Sequence, residues 1–153
     1  MRGLFVTLLL LGWPFWALAV DAPAGRVIKV LPLFLDQKGR DALSPSLFDR
    51  DAYQVYLRQH TNEISALRID VLWKAANTRG ARLNLRVELR GAGPGGLPQQ
   101  VTLEKTVTPG SFRRWTSLTL VDQDYQKFGG LAAWRVTLWL GDRLMGEQKS
   151  FLW

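Results

Sequence analysis

The residues able to do chemistry are few. His60 is the only histidine, and there is no cysteine. With Glu63 it forms "HTNE", a spacing that would serve as an acid/base pair or part of a metal site. A zinc site usually draws on three or four protein ligands, and no other histidine or thiolate exists to complete one. A Ser-His-Asp triad would have to use this same imidazole, and no GxSxG elbow presents a nucleophile. His60 is therefore expected to be a helix-end residue facing water. Two carboxylate pairs, "DRD" (49–51) and "DQD" (122–124), have the composition used in glycoside hydrolysis. Both fall where helix starts favour acids, which accounts for them without catalysis. "GAGPGG" (91–96) lacks the GxxxxGK[ST] spacing of a phosphate cradle and does not open a helix. No catalytic residue, metal site or cofactor is expected.

A different chemistry is written in "ARLNLRVELRG" (81–91). Leu83, Leu85, Val87 and Leu89 take every second position, with Arg82, Arg86 and Arg90 between them. Strand side chains alternate between faces, so the three arginines should share the face away from the leucines. In "AAWRVTLWL" (132–140) the same alternation puts Trp134, Val136, Leu138 and Leu140 on one face, and Arg135, Thr137 and Trp139 on the other. Trp115 is out of phase with Leu118 and Leu120 and is expected outside or at a bulge. Trp73 and Trp134 continue the apolar phase and are expected to be core anchors. The candidate binding residues are thus Arg82, Arg86, Arg90, Arg135, Trp139 and Trp115. They suit an anionic or protein partner, with sugar stacking on the tryptophans as the alternative and a carboxylate hydrolase as a more remote one. A solvated face is the plainer reading, since arginine stems cover apolar surface and charges discourage edge association.

The elements that must position these residues are mostly strands. "RVIKVLPLFL" (26–35) reads as an edge strand because Pro32 lacks a ladder donor. Residues 44–60 fit a short helix over 46–60. Ser46 is placed to cap it, with Asp49 three residues on, and Phe48, Ala52, Val55 and Tyr56 lie on one helical face. Tyr53, Val55 and Leu57 also alternate, so residues 52–58 could instead extend as a strand. "LRIDVLWK" (67–74), the arginine strand, "QVTLEKTV" (100–107), "RWTSLTLV" (114–121) and "AAWRVTLWL" follow. "DQDYQKFGG" (122–130) reads as a helical turn stopped by glycine, "GD" (141–142) as a two-residue hairpin loop, and the last strand runs through "KSFLW" to the end. Seven short strands separated by turn-rich segments indicate an all-β antiparallel sandwich with one short inserted helix, a single domain over 26–153.

The closing stretch "AAWRVTLWLGDRLMGEQKSFLW" resembles the last hairpin of exported immunoglobulin-like or fibronectin-type-III-like domains. The resemblance implies an architecture and no activity. It also implies that the third and sixth strands are neighbours, which would set Arg82, Arg86 and Arg90 beside Arg135 and Trp139. The cysteine pair of antibody domains is missing, and Tyr125 does not have tyrosine-corner spacing.

The totals place the chain outside the cytoplasm. Arg2, the apolar run 4–18 and "ALA" at 17–19 have the form of a cleavable signal peptide. The run is shorter than the ~20 residues that usually span a bilayer, and Pro14 interrupts it. Cleavage is expected after Ala19, with Ala22 and Ala24 as weaker sites. That leaves no transmembrane segment and lowers the formal charge from +7 by one, for Arg2. The expectation is a periplasmic or secreted, non-catalytic binding or assembly module. Its basic sheet face would meet a protein or anionic envelope component, with carbohydrate the alternative and nucleic acid not expected.

Overall fold

The computed structural model describes residues 22–153, so the expected signal segment and the expected cleavage after Ala19 lie outside the described residues. Seven strands form two antiparallel sheets. Strands β1 (Ala24–Asp36), β2 (Ile64–Ala76) and β5 (Arg114–Val121) make a three-stranded sheet in the order β1-β2-β5. Strands β3 (Leu83–Ala92), β4 (Pro98–Val107), β6 (Gly130–Leu140) and β7 (Arg143–Lys149) make a four-stranded sheet in the order β4-β3-β6-β7. As the alternating sequences require, Leu67, Ile69, Val71 and Trp73 of β2 meet Leu83, Leu85, Val87 and Leu89 of β3, with Val136 and Leu138 of β6, in one apolar core. Burying each such side chain contributes about 1.5–3 kcal/mol, and that common gain holds the sheets face to face. β1 is an edge strand, as Pro32 demands, and carries irregularities at Val27/Lys29 and Leu35/Asp36.

Helix α1 (Leu47–Gln59) begins as expected, with the Ser46 side chain accepting from the Asp49 N–H. The face it buries is not the apolar one. Gln54 and Leu57 are the buried helix residues, while Phe48, Ala52, Val55 and Tyr56 face solvent. The reason is the β1 edge: Gln54 replaces a missing strand neighbour for Phe34, and Leu57 enters the core beside it.

The 122–130 turn is a second helix, α2 (Asp122–Phe128), so the sandwich carries two helices rather than one. Asp122 and Asp124 lie in its first turn, but no side chain caps it. Their contribution is to the helix dipole. Gly129 ends α2 at φ +71°, and a Cβ there would collide with the Ala92 carbonyl. Only glycine lets α2 close onto the end of β3 and bury Phe128.

The chain end also departs from expectation. β7 stops at Lys149, and residues 150–153 turn back, with the Trp153 N–H donating to the Ser150 carbonyl. Ser150 ends the ladder with β6: its N–H still donates to the Trp134 carbonyl, but its hydroxyl, in place of its carbonyl, accepts from the Trp134 N–H, and the carbonyl is left to the Trp153 N–H.

Candidate functional site

The outer face of the four-stranded sheet gathers most of the candidate residues. β3 buries all four of its inward aliphatic side chains at 1% exposure or less, so its outward phase is set. The register pairs Asn84 with Trp139, Arg86 with Thr137 and Glu88 with Arg135 across to β6. On the other side it pairs Arg86 with Glu104 and Glu88 with Thr102 of β4. Cross-strand partners share a face, so Arg86 and Arg135 each meet an acid, whereas Arg90 stands between Gln100 and Ala133. Arg86 Nε donates to Glu104 Oε1 at 2.6 Å, and Asn84 Nδ2 to Glu104 Oε2 at 3.0 Å. These two contacts, Asn84 first, hold the Glu104 carboxyl below the usual carboxylate range. Arg135 lies 3.0 Å from Glu147 of β7 and 3.8 Å from Glu88.

The same arginines also lie over aromatic rings. The Arg86 guanidinium is 5.8 Å from the Trp139 ring centre, and that of Arg90 is 3.9 Å from the Trp153 ring centre. Both fall within the range of cation–π attraction. Thr137 sits in the middle of the face at 1% exposure. Its Oγ1 and the Trp139 Nε1 are enclosed without a hydrogen-bond partner among the described residues. The face is therefore a mixed-charge grid with an arginine–indole stack near each end, rather than a free basic surface.

Two candidates stand apart. Arg82 precedes β3 and is exposed. Trp115 is 53% exposed but belongs to β5, where it pairs with Leu72. It points from the outer face of the other sheet and cannot act together with Trp139. Of the expected core anchors, Trp73 is 1% exposed, and its Nε1 donates to Thr116 Oγ1 at 2.9 Å. Trp134 is on the inner side but only half-buried.

The groups considered for catalysis have local partners. His60 is exposed; its Nδ1 lies 2.9 Å from the Tyr56 carbonyl, and its ring stacks on Tyr56 at 4.0 Å. Glu63 accepts from the Tyr56 hydroxyl at 2.7 Å. The two carboxylate pairs lie on different helices, α1 and α2. Among the described residues, no three His, Cys, Asp or Glu side chains cluster as metal ligands would, and no helix is long and apolar enough to cross a membrane.

Sequence reasoning missed Trp153 as a partner of Arg90, because nothing local marks the return of the tail. Glu88 is open to cross-strand pairing from its place in the arginine strand, whereas Glu104 and Glu147 became identifiable as partners of Arg86 and Arg135 only with the register.

No family profile and no curated protein matches the chain. Among solved structures, a protein from Akkermansia muciniphila superposes with a TM-score of 0.53 at 11% identity, over 84% of this chain and 70% of that one. At that identity the likeness is one of fold, and what it establishes for this chain is an all-β architecture.

Proposed function

We propose that the protein is an exported, non-catalytic binding or assembly module that seats a partner protein on the outer face of its four-stranded sheet. The observation that carries this reading is the pair of arginine–tryptophan stacks, Arg86 on Trp139 and Arg90 on Trp153. Arginine and tryptophan dominate the residues that supply binding energy at protein interfaces, and here they bracket a charge-balanced centre. Glu88, Glu104 and Glu147 offset the cations. That favours a partner presenting both signs over a polyanion, which gains from uncompensated cations. The adjacency of β3 and β6 supports kinship with exported immunoglobulin-like or fibronectin-type-III-like domains. Export rests on the N-terminal signal pattern. Sugar binding would rest on Trp115 alone, since Arg86 lies over Trp139.

The test compares the exported protein with its Arg86→Ser/Arg90→Ser variant, both tagged, in capture from envelope extract. The variant should fold with stability within about 1 kcal/mol of the parent, as expected for exposed ion pairs, and should lose the captured protein. Retention of the same protein by the variant overturns the choice of face. Capture of anionic polymer in place of protein, eluted by modest salt, overturns the choice of partner.

A further inference from the structure

α1 is held to the sandwich by one side and offers the other to solvent. Gln54 and Leu57 anchor it at 4% and 0% exposure, while Phe48 is 81% exposed and Val55 50%. With 3.6 residues per turn, Phe48, Ala52, Val55 and Tyr56 form one stripe opposite the anchors. This is the only helix among the described residues with an apolar face left open along more than two turns. Asp51 and Arg58, seven residues apart, lie on the same flank of that stripe.

We infer that this face is a self-association surface, and that α1 packs antiparallel on α1 of a second copy about a two-fold axis. The charge pattern selects this occupant. In a two-fold antiparallel pair, residues on the same flank face each other. A register centred beside Val55 therefore sets Asp51 of each copy against Arg58 of the other, twice over. Val55 then meets its own counterpart near the axis, and Tyr56 lies over the small Ala52 of the second copy. The charges are free for this role. The Asp51 side chain is 73% exposed, with only its neighbour Arg50 as an ionic partner at 3.1 Å. Arg58 has no ion pair among the described residues and lies 5.9 Å from the Phe34 ring centre.

The chain's own N-terminal residues are a poorer occupant. They join β1 at Ala24, whereas α1 is bound at the other end of that 13-residue strand, through Phe34 and Asp36. At about 3.3 Å per residue the two ends are roughly 40 Å apart, well beyond the roughly 13 Å that residues 20–23, left before β1 by the proposed cleavage after Ala19, could reach. A lipid surface fits less well than a second copy, because Asp49 and Asp51 flank the exposed Phe48 and would be repelled by anionic headgroups.

A single helix face about 20 Å long is at the small end of specific interfaces, so the dimer is weak. Sedimentation of the exported protein should show its average mass rising toward twice the monomer between about 10 μM and 1 mM, as suits a small interface. Val55→Glu sets two carboxylates together near the axis and should leave a monomer across that range. Arg58→Asp sets acid against acid and Asp51→Arg base against base, so each alone should weaken association at least tenfold. An equimolar mixture of these two variants restores opposite charges at both contacts and should associate as well as the parent, or better. Circular dichroism should show all three variants folded, since none touches Gln54 or Leu57, with Arg58→Asp melting slightly lower because it gives up the contact with the Phe34 ring. A parent chain that stays monomeric at 1 mM overturns the inference, as does a mixture no stronger than its components. Co-sedimentation of the parent with phosphatidylglycerol vesicles, lost in Val55→Glu, would assign the face to lipid instead. Because these residues lie on α1, either outcome leaves the sheet-face reading to its own test.

Discussion

Gln54 on α1 completes the hydrogen bonding of Phe34 on β1. Its Oε1 accepts from the Phe34 N–H at 2.8 Å, and its Nε2 donates to the Phe34 carbonyl and to the Asp41 carbonyl, each at 2.9 Å. A strand neighbour would satisfy an edge residue in the same way. Here one primary amide, 4% exposed, does it from a helix. The contact explains why α1 turns a polar residue inward and leaves apolar ones outside.

Gln54→Ala should therefore cost about 2–3 kcal/mol, because buried backbone donors and acceptors lose their partner. Gln54→Glu should cost at least as much, since a carboxylate cannot donate to the Phe34 carbonyl and is charged where water is scarce. Urea denaturation of the two variants measures this. A loss under about 0.5 kcal/mol, the range of ordinary surface changes, would mean that Leu57 and the Tyr53 hydroxyl on Asp36 hold α1 without help from Gln54.

Asp36 is a second junction of the same region, at the end of β1. Its Oδ1 accepts from the Lys38 and Arg40 N–H groups at 2.8 and 2.9 Å, and its Oδ2 from Arg40 Nε and the Tyr53 hydroxyl, each at 2.8 Å. Burial by itself would raise its pKa. The hydrogen bonds from Arg40, Tyr53 and Lys38 together outweigh burial and hold the carboxyl well below the ordinary aspartate value. The unfolded chain therefore takes up the proton first. The stability contributed by Asp36 should be complete above about pH 5 and lost progressively as the pH falls through 4 and below. Asp36→Asn should lower stability at neutral pH by about 1.5–3 kcal/mol, as for hydrogen bonds to a charged group, and flatten the acid limb. Melting temperature against pH for parent and variant decides this. An unchanged acid limb would assign it to other carboxylates.

Trp73 and Trp134 should separate on substitution. Trp73→Ala opens a fully enclosed site and strands the Thr116 hydroxyl, with an expected loss of about 3–5 kcal/mol. Trp134 is half-buried, and its replacement by Ala should cost distinctly less. Equal losses in equilibrium denaturation would show that Trp134 is covered more completely in solution than its place on β6 implies.

What could be read from sequence was what depends on neighbours along the chain. Alternation located the strands: "RWTSLTLV" is β5 to the residue, and the apolar phase of β3 is its buried phase. Ser46 with Asp49 marked the start of α1, and Gly141-Asp142 marked the hairpin between β6 and β7. These signals are local because a side chain's direction follows from backbone geometry at its own position. The resemblance of the final hairpin added that β3 and β6 adjoin.

Tertiary structure decided what lies opposite what. An apolar stripe at helical spacing is ordinarily the inward one, but the open hydrogen-bonding edge of β1 drew Gln54 instead, and a buried amide pairing outranked the stripe. Arginines spaced along β3 suit either a solvated face or a basic binding face in sequence, and only the register set Glu104 beside Arg86 and Glu88 beside Arg135. Trp115 reads like Trp139 in sequence, yet the two stand on opposite outer faces because their strands belong to different sheets. Strand pairing brings together residues far apart in the chain, and the energy that selects it belongs to the assembled core rather than to any one segment.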